Sequence, residues 1–158
     1  MVMTIDKKDI LIILLTIIIA LLAIISYFYL MEDEILYQTV NVTDTFQVDL
    51  PISENVTREN INNHTTVISC GNITISSFNT AGTGLDDLLI DGTEFAAKRE
   101  AYKIGAEQIL LSNHTVWHNA KDNYYMAYFS SNESHDNVMI VCNDNETMAH
   151  IIESINMA

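Results

Sequence analysis

The sequence contains few of the residues on which several classes of protein depend. It has one proline, five glycines, two cysteines and only seven lysine or arginine residues against 21 acidic ones. The resulting charge of −14 repels phosphate backbones, so we expect no nucleic-acid binding. Phosphate-binding glycine loops, a Gly-x-Ser-x-Gly elbow and CxxC pairs are all missing from the sequence. We therefore predict neither catalysis nor a cofactor.

The segment from Ile10 to Leu30 contains no charged residue of either sign. A helix rises about 1.5 Å per residue, so this run matches the roughly 30 Å hydrocarbon core of a bilayer. Lys7 and Lys8 precede the run, acidic residues follow it at 32–34, and the next cation is Arg58. The positive-inside rule then predicts a cytoplasmic tail over 1–9, a transmembrane helix over 10–30 and an extracellular remainder.

A cleaved signal peptide is the alternative interpretation of this run. Signal peptides usually have an apolar region of about 7–15 residues that ends at a small-x-small cleavage site. The run here is longer, and residues 26–30 (SYFYL) offer no such site. We therefore favour a retained single-pass anchor whose partner is the lipid bilayer.

The second signal is an excess of N-glycosylation sequons beyond the anchor. With 15 asparagines in the chain, composition predicts about two or three Asn-x-Ser/Thr sequences by chance. Seven occur, none with proline in the middle position: Asn41, Asn55, Asn63, Asn72, Asn113, Asn132 and Asn145. Glycan acceptors must be exposed in a chain that has crossed a membrane. The alternative is that Asn, Ser and Thr meet in turns because all three favour turns.

The two cysteines, Cys70 and Cys142, both lie beyond the anchor. Disulfides persist outside the cell, and a bridge here would close a loop of about 70 residues. Two buried thiols that act as small hydrophobic side chains are the alternative. The sequence leaves both interpretations open.

Two histidines are the candidates for metal ligation. His114 and His118 point to one side of a predicted strand, but zinc or copper needs a third donor from a distant part of the chain, such as His64 or His135. We therefore expect two exposed histidines near a turn and no metal site.

Apolar patterning beyond the anchor predicts one α+β domain over 44–158, joined to the anchor by a stalk over 31–43. Alternation of apolar and polar residues, or short apolar runs between turns, indicates strands. The predicted strands are Thr45–Leu50, Thr65–Cys70, Ile73–Phe78, Glu107–Leu111, Thr115–Asn119, Asn123–Phe129 and Asn137–Cys142. Residues 52–63 contain little apolar material and are predicted to form a loop.

Two helices complete the predicted domain. The first covers Leu85–Ala106, is interrupted at Gly92 and stops at Gly105. The second is capped by Asn143 and carries an apolar stripe at Met148, Ile151, Ile152 and Ile155. The order of elements predicts a largely antiparallel sheet packed by two helices.

Two short motifs in this arrangement carry a resemblance. The sequence F-x-V-x-L-P at Phe46 to Pro51, followed by a hairpin, a helix, a strand meander and a last helix ending in Ile-Ile-Glu-Ser-Ile at 151–155, resembles small single-pass surface proteins of methanogenic archaea. Their outer domains are similar to the PsbP/Mog1-like α+β sandwich. The resemblance implies a fold and a cell-surface location, and it carries over no functional residues.

These observations predict a membrane-anchored, glycosylated extracellular module with a binding or structural role at the cell envelope, where another envelope protein is its partner. The alternative is an extracytoplasmic sensor domain that binds a small molecule or a metal ion. A concave pocket with convergent polar groups would favour the sensor, whereas a flat face with an apolar patch would favour a protein partner.

Overall fold

The structure is a computed structural model that describes residues 6–30, 35–81 and 85–157. It divides the chain into two compact units, Met1–Glu34 and Ile35–Ala158. We call the second unit the C-terminal domain. Residues 1–5 of the predicted tail (1–9) and residues 31–34 of the predicted stalk (31–43) lie outside the described residues.

The first unit contains one helix, α1 (Lys7–Leu30). Its segment Ile10–Tyr27 has a mean hydropathy of 3.1 and buries none of its residues within the structure. The hydroxyl of Thr16 donates to the carbonyl of Ile12 at 2.8 Å, so this polar group is satisfied within the helix. The helix is long and apolar enough to cross a membrane.

The C-terminal domain is an α+β domain, as predicted. Its elements are β1 (Tyr37–Asn41), β2 (Phe46–Pro51), β3 (Val56–Asn60), β4 (Thr65–Cys70), β5 (Ile73–Asn79), α2 (Leu85–Lys103), β6 (Glu107–Leu111), β7 (His114–Asn119), β8 (Tyr124–Ser130), β9 (Asp136–Cys142), α3 (Asn145–Ser154) and β10 (Asn156–Met157). Seven strands form one sheet in the order β3-β4-β5-β9-β8-β7-β6, and a smaller sheet has the order β1-β2-β10. The described pairings are all antiparallel.

The main core lies on one face of the large sheet. Strict alternation in β2 buries Phe46, Val48 and Leu50 to 2% exposure or less. These side chains join a single apolar cluster with residues of β4, β5, β7, β8 and β9 and with Met148 and Ile151 of α3. The predicted apolar stripe of the last helix therefore packs in this core at Met148 and Ile151, while Ile152 and Ile155 are partly buried against it.

A second cluster covers the other face of the large sheet. Phe95 of α2 packs there with Phe78, Met126 and Met139. Two cations of α2 lie over aromatic rings of the sheet, since the Arg99 guanidinium is 4.6 Å from the Tyr128 ring and the Lys103 Nζ is 4.7 Å from the Trp117 ring. Aromatic side chains on this face are thus held by packing.

Two segments without an apolar pattern form strands, and for the second of them the predicted loop was wrong. Tyr37–Asn41, in the segment predicted as a stalk, pairs with β2, and the second compact unit begins at Ile35. Val56–Asn60, in the predicted loop over 52–63, pairs with β4 and exposes four of its five residues. Both are edge strands, whose backbone hydrogen bonds come from one neighbour and do not require a buried face.

The predicted interruption at Gly92 was also wrong, because α2 is continuous from Leu85 to Lys103. Gly105, with φ of +74°, follows the helix as predicted and adopts the left-handed conformation that ends helices. At the last helix the capping residue is Asp144 and not Asn143. Its carboxylate accepts a 2.7 Å hydrogen bond from the Thr147 backbone N–H, and hydrogen bonds from Thr147 lower the pKa of Asp144.

Two glycine substitutions should have opposite effects on stability. Gly71, in the β4–β5 turn, has φ of +56°, and a Cβ there would lie 2.9 Å from Cγ and Cδ of Glu54. We expect Gly71→Ala to lower the free energy of unfolding by about 1–2 kcal/mol. A Cβ at Gly92 would meet Phe78 at an ordinary 3.5 Å. We expect Gly92→Ala to raise stability by about 0.5–1 kcal/mol.

Urea unfolding of the full chain in detergent, followed by fluorescence of the single tryptophan Trp117, measures both changes. Loss of stability in Gly92→Ala would contradict a continuous helix through this position.

Candidate functional site: the polar cleft at Asp136

The C-terminal domain contains a cleft of about 490 Å³. It lies between the β1–β2 turn, the β3–β4 turn, the end of β5 and the β8–β9 loop. Hydroxyl and amide side chains dominate its lining, among them Thr43, Thr45, Thr66, Ser77, Asn79 and Ser134. Asp44, Arg58, His64 and Asp136 add ionisable groups. We call this feature the polar cleft.

Asp136, the first residue of β9, is the hydrogen-bonding centre of the polar cleft. It is 3% exposed, and its Oδ2 accepts from the hydroxyls of Thr43 at 2.7 Å and Thr45 at 2.5 Å. Its Oδ1 accepts from Nδ2 of Asn79 at 2.5 Å. Burial acts to raise the pKa of this carboxyl, but the hydrogen bonds outweigh it, and the pKa of Asp136 is lowered. The group is therefore a carboxylate at neutral pH, held by neutral donors.

Arg58 contributes a positive charge to the lining of the polar cleft. It projects from β3, and its Nη1 and Nη2 donate to the carbonyls of Asn41 at 3.0 Å and Val42 at 2.9 Å. These bonds join an edge strand of the large sheet to the turn that leads into β2. Asp136 and Arg58 thus both connect the large sheet to the turn that leads into β2.

The structure places all seven sequon asparagines on exposed positions: Asn41, Asn55, Asn63, Asn72, Asn113, Asn132 and Asn145. Of the eight other asparagines, four are half-buried or buried, namely Asn62, Asn79, Asn119 and Asn137. Asn41, predicted in the stalk, ends β1 and is still exposed. Asn63 also lines the polar cleft. Exposure, which glycan attachment requires, is thus met at every sequon.

In the structure the two cysteines are free, buried thiols, which corresponds to the second of the two interpretations. Cys70 lies in β4 and Cys142 in β9, and β5 runs between them. Two strand spacings of about 4.8 Å each place their Cα atoms beyond the roughly 7 Å limit for a bridge. Burial raises the pKa of the Cys142 thiol to about 11 and also raises the pKa of Cys70, so neither is a reactive thiolate.

The two candidate metal ligands are engaged with aromatic rings. His114 stacks on Phe129 at 4.1 Å between ring centroids, and its Nε2 donates to the Tyr128 carbonyl at 3.2 Å. His118 stacks on Tyr125 at 4.3 Å. Both histidines are half-buried, so the prediction that they are exposed was wrong. They lie four positions apart on β7, which separates their Cα atoms by about 13 Å. Among the described residues, no group of three or more His, Cys, Asp or Glu side chains converges as a metal site would require.

Sequence reasoning did not find the polar cleft. Its groups come from four separated segments, represented by Thr45, Arg58, Asn79 and Asp136. A polar Thr-Asp-Thr sequence at 43–45 directly before an apolar strand is the one local signal, and it is equally typical of a turn.

Similarity to known proteins does not identify a function for the polar cleft. The resemblance to small surface proteins of methanogenic archaea stays a prediction, because it rests on two short motifs alone. Comparisons of the chain with protein-family models, with curated proteins and with solved structures find no significant match for it.

Proposed function

We propose that this protein is a single-pass, glycosylated surface protein whose C-terminal domain lies outside the cell. In this proposal α1 binds the lipid bilayer, and the domain has a binding or structural role beside another envelope protein, without catalysis. The observation that supports the proposal most directly is the exposure of all seven sequon asparagines, against only half of the other asparagines.

The charge distribution supports the proposed orientation. Lys7 and Lys8 stand before the apolar segment, while the chain beyond it carries five cations and 19 acidic residues and thus the whole net charge of −14. Cytoplasmic flanks of single spans are enriched in Lys and Arg. An acidic surface also keeps neighbouring copies soluble and apart.

Surface labelling of lysines tests the orientation. Lys98 and Lys121 are exposed on the C-terminal domain, and Lys8 is exposed before the apolar segment. A membrane-impermeant amine reagent added to intact cells should modify Lys98 and Lys121 and spare Lys8. Permeabilised cells are the control, in which all three should react. Protection of Lys98 and Lys121 in intact cells would contradict the proposal. Absence of residues 1–30 from the mature chain would show a cleaved signal peptide.

Intact-mass spectrometry of the native protein tests glycosylation. We expect added mass that falls stepwise when sequon asparagines are replaced, for example in Asn55→Gln, Asn72→Gln or Asn113→Gln. Asn60→Gln and Asn123→Gln are matched controls, because both residues are exposed but lie outside a sequon. These control variants should lose no glycan mass. An unmodified mass in a host that glycosylates its own surface proteins would contradict glycosylation. It would favour the alternative that the sequons are turn-forming sequences.

The polar cleft favours a second candidate function. Its volume of about 490 Å³ falls within the range of about 300–1,000 Å³ that is typical of small-molecule sites. Convergent hydroxyls and amides are the feature expected of an extracytoplasmic ligand-binding domain. What fills the cleft therefore distinguishes the two candidates.

A further inference from the structure

We propose that the polar cleft holds carbohydrate of the protein itself, namely the first sugar residues of a glycan attached to Asn63. This inference rests on the proposed glycosylation and extends it, because it gives one of the seven glycans a binding site on the domain. The cleft would then be filled from within the molecule and would not require a free ligand.

The position of Asn63 is the first argument. Asn63 lies in the β3–β4 turn, is exposed, and lines the polar cleft. Its neighbour Asn62 fixes the turn, since the Asn62 Oδ1 accepts from the backbone N–H groups of His64 at 2.8 Å and Thr65 at 2.7 Å. An attached sugar therefore starts at the rim of the cleft from a backbone of defined geometry.

The chemistry of the walls is the second argument. Two of the charged groups are already engaged within the protein, because Asp136 accepts from Thr43, Thr45 and Asn79, and Arg58 donates to two backbone carbonyls. The other carboxylate of the lining, Asp44, is exposed. What the cleft offers to an occupant is mainly neutral hydroxyl and amide groups. These groups match the hydroxyls of a neutral saccharide better than they match an ion.

Covalent attachment of the sugar at Asn63 would allow the cleft to be occupied even though these contacts are weak. Neutral hydrogen bonds replace hydrogen bonds to water, so a free sugar gains little from such a cleft. A sugar tethered at the rim has an effective concentration in about the millimolar range or above, which allows weak contacts to keep the cleft occupied.

Thiol labelling of an introduced cysteine tests the proposal. Asp44 is exposed and lines the polar cleft from a different turn. In Asp44→Cys, an impermeant maleimide should react with the new thiol about tenfold more slowly when Asn63 carries its glycan than in the double variant Asp44→Cys/Asn63→Gln. A tenfold change corresponds to a docked state favoured by about 1.4 kcal/mol. The native thiols do not interfere, since Cys70 and Cys142 are at most 1% exposed.

Two controls separate docking from general shielding. Ile61 is two residues from Asn63 and 56% exposed, but it does not line the polar cleft. The thiol in Ile61→Cys should therefore react at nearly the same rate with and without the Asn63 glycan. Removal of a different glycan by Asn72→Gln should leave the Asp44→Cys rate unchanged.

Mass spectrometry of the same samples separates the outcomes. Equal Asp44→Cys rates with a glycan present at Asn63 would overturn the cleft proposal and leave the proposed function intact. A glycan missing from Asn63 but present at other sequons would also overturn the cleft proposal and leave the proposed function intact. Glycans missing from all seven sites would overturn both. Protection that persists in Asn63→Gln would assign the cleft to a separate ligand and overturn the proposal.

Discussion

Replacing Asp136 with alanine should lower the free energy of unfolding of the C-terminal domain by about 2–4 kcal/mol. The carboxylate is 3% exposed and accepts hydrogen bonds from Thr43, Thr45 and Asn79. Its removal leaves these donors without their acceptor at the point where the β1–β2 turn meets β5 and β9. Urea unfolding of the full chain in detergent, followed by Trp117 fluorescence, measures the loss.

Asp44→Ala is the matched control, because Asp44 is an exposed aspartate in the same turn. We expect it to change stability by no more than about 0.5 kcal/mol. A similar loss in both variants would show that the Asp136 hydrogen bonds do not hold the turn.

The lowered pKa of Asp136 also predicts a pH dependence. The carboxyl has an ordinary pKa of about 3.9 when unfolded, so its contribution is complete above that value. As the pH falls below that value and through the lower folded pKa, the carboxylate is protonated and the contribution is lost. Asp136→Asn keeps the shape of the side chain and should remove this part of the acid sensitivity.

Ile151→Asp should unfold the C-terminal domain, with a loss of at least about 4 kcal/mol. Ile151 of α3 is fully buried in the main core beside Met148, and its cluster includes Val48 and Leu50 of β2. A carboxylate at this position has no cation in the cluster to pair with. Circular dichroism and Trp117 fluorescence of the full chain should both lose their native signal.

The same substitution at an exposed isoleucine provides the control. Ile104, after the end of α2, is 76% exposed, and Ile104→Asp should leave the melting temperature nearly unchanged. If Ile151→Asp retained the wild-type melting temperature, α3 would not pack on the sheets and the core described above would be incorrect.

Elements with a strong local pattern could be predicted from the sequence. An uncharged apolar run makes α1, and alternation in Phe46, Val48 and Leu50 makes β2, because side-chain periodicity and burial follow from local geometry. The β4–β5 hairpin follows from Gly71, whose positive φ a two-residue turn requires. The sequon asparagines were predicted to be exposed for a related reason, since the same polar residues favour turns.

The strands at Tyr37–Asn41 and Val56–Asn60 could not be predicted in this way. Both are mostly exposed, so no apolar period marks them, and they are strands because β2 and β4 offer unsatisfied backbone groups beside them. The continuity of α2 through Gly92 depends likewise on contacts outside the helix, where the Phe78 ring lies close to this position.

The sequence alone therefore determined the apolar helix α1, the central strands, the last helix and the sequons, because each depends on residues close together along the chain. Only the tertiary structure decided that β5 separates Cys70 from Cys142 and that His114 and His118 stack on aromatic rings. It also assembled the polar cleft, in which Asp136 meets donors that lie 57 to 93 residues away in the sequence. Strand order sets such distances, and strand order is a property of the whole fold.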